Sequence, residues 1–203
     1  MLLRRILVVS LLVLSPAAFA DSLDINLNNN AAAFKFNSSA SDLIEGNSEL
    51  HAGVVYNDAN NLFFDAGLLV RGGSEEEGAP GLSVGVGVKG VFGTIQPQPG
   101  VVGATSSTVS GIGVGGELVF TLPTPTRVAF VAEYYASPKI MSFADAQRFD
   151  QLGLRLEVEV SPQARVYIGY REIGFGVKNT GLVGGSGSLA LDKGTHVGVI
   201  VSF

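Results

Sequence analysis

The stretch Leu82-Ser83-Val84-Gly85-Val86-Gly87-Val88-Lys89 decides the fold, because a large apolar residue occupies every second position and glycine or a polar residue occupies the others. Successive side chains of a β-strand point to opposite faces, so a period of two predicts a strand with one apolar face. A helix would instead repeat its apolar residues every three or four positions. The stretch therefore predicts a two-faced strand whose second face is rich in glycine.

The same alternation recurs along the chain, at residues 50–56, 62–70, 112–122, 128–134, 152–160, 165–177 and 194–203. Together with residues 82–88 these segments predict eight strands. Nearer the amino terminus, residues 23–27 are apolar at odd positions and residues 32–36 at even positions. A change of parity predicts a tight hairpin or a bulge. A hairpin would add two strands, so we favour ten strands and keep eight as the alternative.

The composition of the second face separates two all-β architectures. In a soluble β-sandwich, the solvent-facing side of each strand carries Lys, Thr, Glu and Ser in bulk. Here that side is dominated by glycine, which weakens a strand and is not favoured on a solvated face. A narrow barrel needs small residues inside, and inward charges such as Arg155 with Glu157, or Glu133 with Arg127, can pair there. The pattern predicts an antiparallel up-and-down transmembrane β-barrel.

The connections add an orientation to this prediction. Over the second half of the chain they are long at residues 96–110, 137–147 and 178–193 and short at 123–126 and 161–163. Outer-membrane barrels have short periplasmic turns and longer outer loops, so we expect both chain ends on the periplasmic side. The first half fits less well, because residues 72–81 would form a long periplasmic connection. The terminal Phe203 resembles the carboxy-terminal signal that the barrel assembly machinery of Gram-negative outer membranes reads.

The amino terminus predicts export. Residues 1–20 contain Arg4 and Arg5, a short apolar run and the small-x-small end Ala18-Phe19-Ala20, which together predict a signal peptide cleaved before Asp21. Removal of the two arginines would change the formal net charge from −5 to −7. We therefore expect residues 21–203 to form one acidic, exported barrel domain.

Composition also excludes several classes of protein. The chain has 203 residues, of which 46% are hydrophobic and 15% charged, which favours a folded domain over disorder. An acidic chain lacks the basic surface that neutralises nucleic-acid phosphates. The chain has no cysteine, so it has no disulfide, thiolate metal site or thiol nucleophile.

Three short segments resemble the YfaZ family of outer-membrane proteins: Val131-Ala132-Glu133-Tyr134-Tyr135-Ala136-Ser137-Pro138-Lys139, Ser142-Phe143-Ala144-Asp145-Ala146 and Arg165-Val166-Tyr167-Ile168-Gly169-Tyr170-Arg171. The resemblance extends over the region expected to be mature, and it is clearest from Leu82 onward. It implies an exported outer-membrane protein of proteobacteria without an established activity. It supplies no catalytic residues.

The two histidines are the candidate catalytic groups. The alternation places His51 and His196 on the inward face, and Ser186, Ser188 and Asp192 precede His196 near the expected outer rim. A general base needs hydrogen-bond reach to its nucleophile, which sequence proximity does not establish. We interpret both histidines as hydrogen-bonded residues of the lumen.

Other motifs are interpreted structurally. Glu75-Glu76-Glu77 offers carboxylates of the kind that divalent cations prefer, but it lacks the spacing of a calcium loop and is typical of a solvated loop. The glycine runs at 85–87 and 111–115 lie within strands and precede no helix, which excludes a phosphate loop.

The inward charged residues and the aromatic residues have expected structural roles. We expect the charges to pair inside a filled lumen, with an ion pathway as the alternative, because unpaired charges in a water-poor interior are costly. They are Glu117, Glu133, Arg127, Arg155, Glu157, Arg165 and Arg171. We expect the aromatic residues to form girdles at the membrane interfaces. They are Tyr134, Tyr135, Phe120, Phe149, Tyr167, Tyr170 and Phe203.

The sequence therefore predicts a small porin-like outer-membrane β-barrel of a Gram-negative bacterium. Its expected role is structural, in surface interaction or as a narrow channel, with no catalysis and no cofactor, metal or catalytic residue assigned. The alternatives are an outer-membrane lipid-modifying enzyme that uses His196 with a nearby serine, and a soluble periplasmic β-protein. The expected partners are outer-membrane lipids and lipopolysaccharide, and the barrel assembly machinery through the strand that ends in Phe203.

Overall fold

The computed structural model describes residues 21–42, 44–74, 80–96, 106–178 and 187–203. The predicted signal peptide and the run Glu75-Glu76-Glu77 lie outside these residues. The strands are β1 (Ser22–Leu27), β2 (Ala31–Ser39), β3 (Asn47–Asn57), β4 (Leu62–Ser74), β5 (Gly81–Ile95), β6 (Ser107–Leu122), β7 (Val128–Ser137), β8 (Ser142–Ala144), β9 (Ala146–Ser161), β10 (Ala164–Val177) and β11 (Ser188–Ser202). A 3-10 turn at Lys139–Met141 precedes β8. No helix in this part of the chain is long and apolar enough to cross a membrane.

Ten of the strands close into an antiparallel barrel. Each pairs with its neighbours along the chain, β5 pairs with β6, and β1 pairs with β11 from Ser22↔Ser202 to Leu27↔Val197. The three-residue β8 pairs only with β6, beside the loop end of β7. The prediction of an all-β antiparallel barrel with ten strands is confirmed. The parity change near the amino terminus is the tight hairpin between β1 and β2.

Both described chain termini, Asp21 and Phe203, lie at one end of the barrel, the terminal end. At the terminal end, the Phe203 N–H donates to the carbonyl of Asp21 over 3.0 Å, and the Asp21 N–H donates to the carbonyl of Asn37 over 2.8 Å. The opposite end is the loop end, where β5 ends at Ile95 and β6 begins at Ser107, and where β10 ends at Val177 and β11 begins at Ser188. The strand ends joined by the long connections of the second half therefore lie opposite the chain termini, as predicted. The connection from Ser74 to Gly81 joins strand ends at the terminal end, which is the departure from the pattern expected in the first half.

The two faces of each strand have opposite character. On β5, Val84, Val86 and Val88 point outward and Val86 is 66% exposed, whereas Lys89 points inward and is 1% exposed. The same outward row of aliphatic and aromatic residues continues on the other barrel strands. The barrel is thus apolar outside, and its inward face carries the charged residues and most of the glycines that the sequence placed there.

Inward glycines make room for large inward side chains on the next strand. A Cβ added at Gly198 would lie 2.3 Å from the ring of its cross-strand partner Tyr167, and one added at Gly67 would lie 2.6 Å from the imidazole of His51. Both distances are far shorter than van der Waals contact. The glycine face is therefore a packing requirement of the narrow lumen.

Three features differ from the expectations. Strand β11 starts at Ser188 rather than near Gly194. The alternation does not show this earlier start, because a bulge turns both Leu191 and Asp192 inward and interrupts the pattern. Strand β8 lies within the connection expected to be irregular.

The third difference concerns the expected aromatic girdle. The predicted position is wrong for three of its seven residues. Tyr135, Phe149 and Tyr167 point inward and are buried. Phe120, Tyr134 and Phe203 are exposed as expected. Tyr170 lies on the outward row of β10, where its hydroxyl donates to Glu172 over 3.0 Å.

The clearance at Gly198 generates a stability prediction. Gly198→Ala should lower the free energy of unfolding by about 1–3 kcal/mol, because the new methyl group overlaps the ring of Tyr167. The measurement is urea unfolding of the detergent-solubilised barrel, followed by circular dichroism. Gly194→Ala on the same strand is the matched control, because its Cβ would meet nothing within 4 Å. Equal stability of the two variants would contradict the packing argument.

Candidate functional site

The middle of the lumen holds a buried ion pair. The Lys89 ammonium on β5 donates to Glu133 on β7 over 2.8 Å and to Gln151 on β9 over 3.2 Å, and the Gln151 amide donates to the same Glu133 oxygen over 2.7 Å. Asp65 lies 3.9 Å from Lys89, and Lys35 lies 4.0 Å from Glu133. This cluster, the middle layer, links five strands across the lumen.

A buried charge needs the compensation that the middle layer provides. Taking an ammonium and a carboxylate out of water costs several kcal/mol for each ion, which only close pairing and additional hydrogen bonds offset. Lys89 has both, and its ammonium also lies 4.4 Å from the centre of the Tyr135 ring, within the range of a cation–π contact. Removing one partner would leave the other charge uncompensated.

A second group of charges, the lower layer, lies nearer the terminal end. Arg71 donates to Glu49 over 2.8 Å and to Glu117 over 2.9 Å. Arg155 lies 3.5 Å from Glu117 and donates to Glu157 over 2.5 Å. Arg165 then donates to Glu157 over 2.9 Å. Cations and carboxylates thus alternate across β3, β4, β6, β9 and β10.

The prediction that the inward charges form ion pairs is confirmed, but one of the two predicted pairs has a different partner. Arg155 contacts Glu157 as expected. Glu133, expected opposite Arg127, is bound by Lys89 instead. Arg127 lines the cavity of the lower layer near the terminal end.

An apolar cluster, the apolar seal, fills the lumen on the loop side of the middle layer. Its centre is three phenylalanines from β4, β9 and β10, with ring centroids 6.1 Å apart for Phe63 and Phe149, 5.7 Å for Phe63 and Phe175, and 5.2 Å for Phe149 and Phe175. All three are fully buried, and Ile95 and Val109 pack with them. Because these rings come from opposite walls of the barrel, they close the lumen at this level.

Two cavities remain below the seal. The upper cavity, of about 70 Å³, lies within the middle layer, and the lower cavity, of about 270 Å³, lies within the lower layer. Asp24, Lys35, Val131 and Arg155 line both. The polar part of the lumen is therefore a recess between the seal and the terminal end.

Both histidines point into the lumen, as the alternation predicted. His51 Nε2 lies 3.5 Å from Asp65 Oδ1 and has no hydrogen-bond partner within the described ranges. The ring of His196 packs edge-on against Tyr167, with centroids 5.6 Å apart, and its Nδ1 also has no hydrogen-bond partner there. The expectation that both histidines are hydrogen-bonded is wrong for these two nitrogens.

The residues grouped around His196 in the sequence do not assemble in the described structure. Asp192 accepts from Arg171 over 2.6 Å and from Asn28 over 2.7 Å. Ser186 lies outside the described residues, and of Ser188 only the backbone is described. The side chain of His196 lies in the lumen, where it lines the upper cavity, and not at the rim of the barrel. The geometry thus offers no support for a catalytic pair.

Among the described residues, no group of three or more His, Cys, Asp or Glu side chains is placed to hold a metal ion. The run Glu75-Glu76-Glu77 lies outside them.

The apolar seal and the pairing of Lys89 with Glu133 are the features that sequence reasoning missed. The seal has a sequence signal, because adjacent apolar residues such as Phe63 and Phe64, or Val54 and Val55, place apolar groups on both faces of a strand at once. The ion pair has none, since its partners are 44 positions apart on strands that are not neighbours.

No family model, curated protein or solved structure matches this chain.

The middle layer generates a second stability prediction. Lys89→Met should lower the free energy of unfolding by about 3–5 kcal/mol, because it leaves Glu133 buried without its hydrogen-bonded cation. The double variant Lys89→Met with Glu133→Gln should be more stable than Lys89→Met alone, since no uncompensated charge remains. Urea unfolding of each variant measures both effects.

Lys193→Met is the matched control, because Lys193 pairs with Glu172 over 3.0 Å on the exposed surface. Surface pairs contribute little to stability, so this variant should unfold close to the wild type. Glu133→Gln is also measured alone. A loss of stability in the double variant equal to the sum of the losses in Lys89→Met and Glu133→Gln would refute the coupling.

Proposed function

We propose that this chain is a small outer-membrane β-barrel of a Gram-negative bacterium, with a closed lumen and a structural or surface-interaction role. The observation that carries the proposal is the apolar outer face of a closed barrel whose charges all lie inside at mid-height. Such a barrel satisfies its backbone hydrogen bonds internally and has no free edge, which is what a hydrocarbon environment requires.

The height of the apolar face supports this proposal. On β9 the outward apolar row runs from Leu152 to Val160, eight steps along the strand. At about 3.3 Å per residue and a tilt of about 40°, this row covers about 20 Å of height. Apolar bands of outer-membrane barrels are about 25 Å tall. Outward charges begin at the loop-side edge of the band, where Glu172 is in register with Leu152 and pairs with Lys193. Arg148, 3.2 Å from Asp150, lies just beyond Leu152 on β9.

The soluble alternative fits the surface poorly. Val86, Ile168 and Val197 are each more than half exposed. All three belong to the rows of apolar residues that cover the outside of the barrel. Soluble monomers rarely expose contiguous apolar patches larger than a few hundred Å².

The filled lumen favours a closed barrel over a narrow channel. Phe63, Phe149 and Phe175 meet across the lumen, and the charges beneath them are paired. We propose no catalytic role, because His196 Nδ1 has no hydrogen-bond partner among the described residues and the hydroxyl of the neighbouring Tyr167 donates to Asp24.

The proposal includes partners and an orientation. Outer-membrane lipids would contact the apolar face, and lipopolysaccharide would surround the loop end if that end faces the exterior. The terminal strand with Phe203 would be read by the barrel assembly machinery. We also propose membership of the YfaZ family, on the three segments that resemble it.

The first test is expression of the complete chain in a Gram-negative host, followed by isolation of the outer membrane and gel electrophoresis with and without boiling. The protein should be in the outer-membrane fraction and should migrate differently until heated, because closed barrels resist detergent. A soluble periplasmic protein without such a shift would overturn the proposal.

A charged substitution on the outer face tests more directly whether that face contacts lipid or water. Val86→Arg should reduce the heat-shifted form and destabilise the inserted barrel by about 2–4 kcal/mol, the cost of arginine at the lipid-facing midplane. Gln163→Arg, in the exposed turn between β9 and β10, is the matched control and should behave as the wild type. If the outer face met water, both variants would be equally well tolerated.

A further inference from the structure

The polar recess of the lumen is closed at one side and reaches the rim at the other. Its upper cavity ends beneath the apolar seal, while its lower cavity extends to Ser22 and Asn47 at the terminal end. The two cavities share Lys35 and Arg155 in their walls. The two cavities therefore adjoin at Lys35 and Arg155, and the lower one extends toward the terminal end.

Lys35 stands at the junction of the two cavities with hydrogen-bonding capacity to spare. Its ammonium carries three donors, yet its contact in the described structure is the 4.0 Å approach to Glu133, which is too long for a hydrogen bond. Lys89, by contrast, donates to both Glu133 and Gln151. Lys35 is thus available to a molecule that enters the recess.

Two further polar groups face the upper cavity without partners. Asn26 is 5% exposed and His196 is 7% exposed. Asn26 Oδ1 and His196 Nδ1 have no hydrogen-bond partner among the residues described. A buried polar group without a partner is costly, so an occupant of this cavity that hydrogen-bonds to either atom would gain from doing so.

The carboxylates of the recess indicate the charge of that occupant. Glu49, Glu117, Glu133 and Glu157 each accept hydrogen bonds from a lysine or an arginine. Asp24 accepts from the hydroxyl of Tyr167 over 2.5 Å. Asp65 lies within 4.0 Å of His51 and Lys89. Lys35 balances the charge of Glu133 across 4.0 Å but donates no hydrogen bond to it. The other cations of the upper cavity, Lys89, Arg155 and Arg171, each donate to a carboxylate. Among the described residues, Lys35 is therefore the cation of this cavity whose donors are left for an anion.

We propose that the recess is a binding site for a small oxyanion of the phosphate or carboxylate class, held by Lys35 and entered from the terminal end. An oxyanion accepts from Lys35, and the hydroxyl of hydrogen phosphate can also donate to Asn26 Oδ1. The site goes beyond the proposed function, because it needs the barrel and its lumen but no particular membrane.

The test is titration of the isotope-labelled barrel in detergent with inorganic phosphate, and separately with acetate, followed by nuclear magnetic resonance. Backbone amide signals of Asn26, Lys35 and His196 should shift saturably with at least one of the two anions. Preference for one anion identifies the class of ligand. Absence of a saturable shift with both, or shifts confined to exposed residues, would overturn the proposal without affecting the membrane assignment.

Variants of Lys35 make the assignment specific. Lys35→Gln should weaken the affinity at least about tenfold, the equivalent of a charge-assisted hydrogen bond, and Lys35→Arg should retain binding. Lys178→Gln, which changes an exposed lysine at the loop end, should bind as the wild type does. Unchanged affinity in Lys35→Gln, with the heat-dependent gel shift confirming its fold, would refute the site. If Lys35→Gln fails to fold, loss of binding in Lys35→Arg together with retained folding would refute it.

Discussion

A ten-stranded barrel has little room inside, and the pairing of each large inward side chain with a small neighbour is the constraint on which the rest of the structure depends. Tyr167 lies against Gly198, and His51 lies against Gly67. Tyr135 and Arg71 are likewise paired in register with glycines on an adjacent strand. The glycines weaken the isolated strands, but they allow charged and aromatic side chains to fill the lumen at close packing.

The filling of the lumen divides the barrel into two functional levels. On the loop side, three phenylalanines form an apolar plug. On the terminal side, ion pairs cross the lumen and enclose a polar recess. Because all of the mid-height charges are inside, the outer face is left uniformly apolar. The same arrangement thus explains a closed lumen, a lipid-compatible exterior and a pocket entered from one end.

The sequence predicts the part of this structure that depends on alternation. Residues 82–89 alone specify the two faces of β5, and the parity change after Leu27 marks the first hairpin. The alternation itself places Tyr135 on the inward row of Glu133, Phe149 on that of Glu157 and Tyr167 on that of Arg165. The girdle interpretation, which follows residue type alone, is what puts these three aromatic residues on the wrong face. The alternation fails at the bulge of Leu191 and Asp192, which hides the first part of β11. Pairs such as Lys89 with Glu133 depend on the curvature of the closed barrel, which no local pattern encodes.

The most direct test of the account asks what surrounds the outer face in a membrane. The chain has no cysteine, so single cysteines at Val84, Val86, Val88 and, beyond the apolar band, Lys193 can carry spin labels in barrels reconstituted into lipid vesicles. Collision with oxygen, which concentrates in hydrocarbon, is then compared with collision with a water-soluble nickel chelate. The account predicts high oxygen and low nickel accessibility at the three valine positions and the reverse at Lys193. Nickel accessibility at the valine positions equal to that at Lys193 would contradict it.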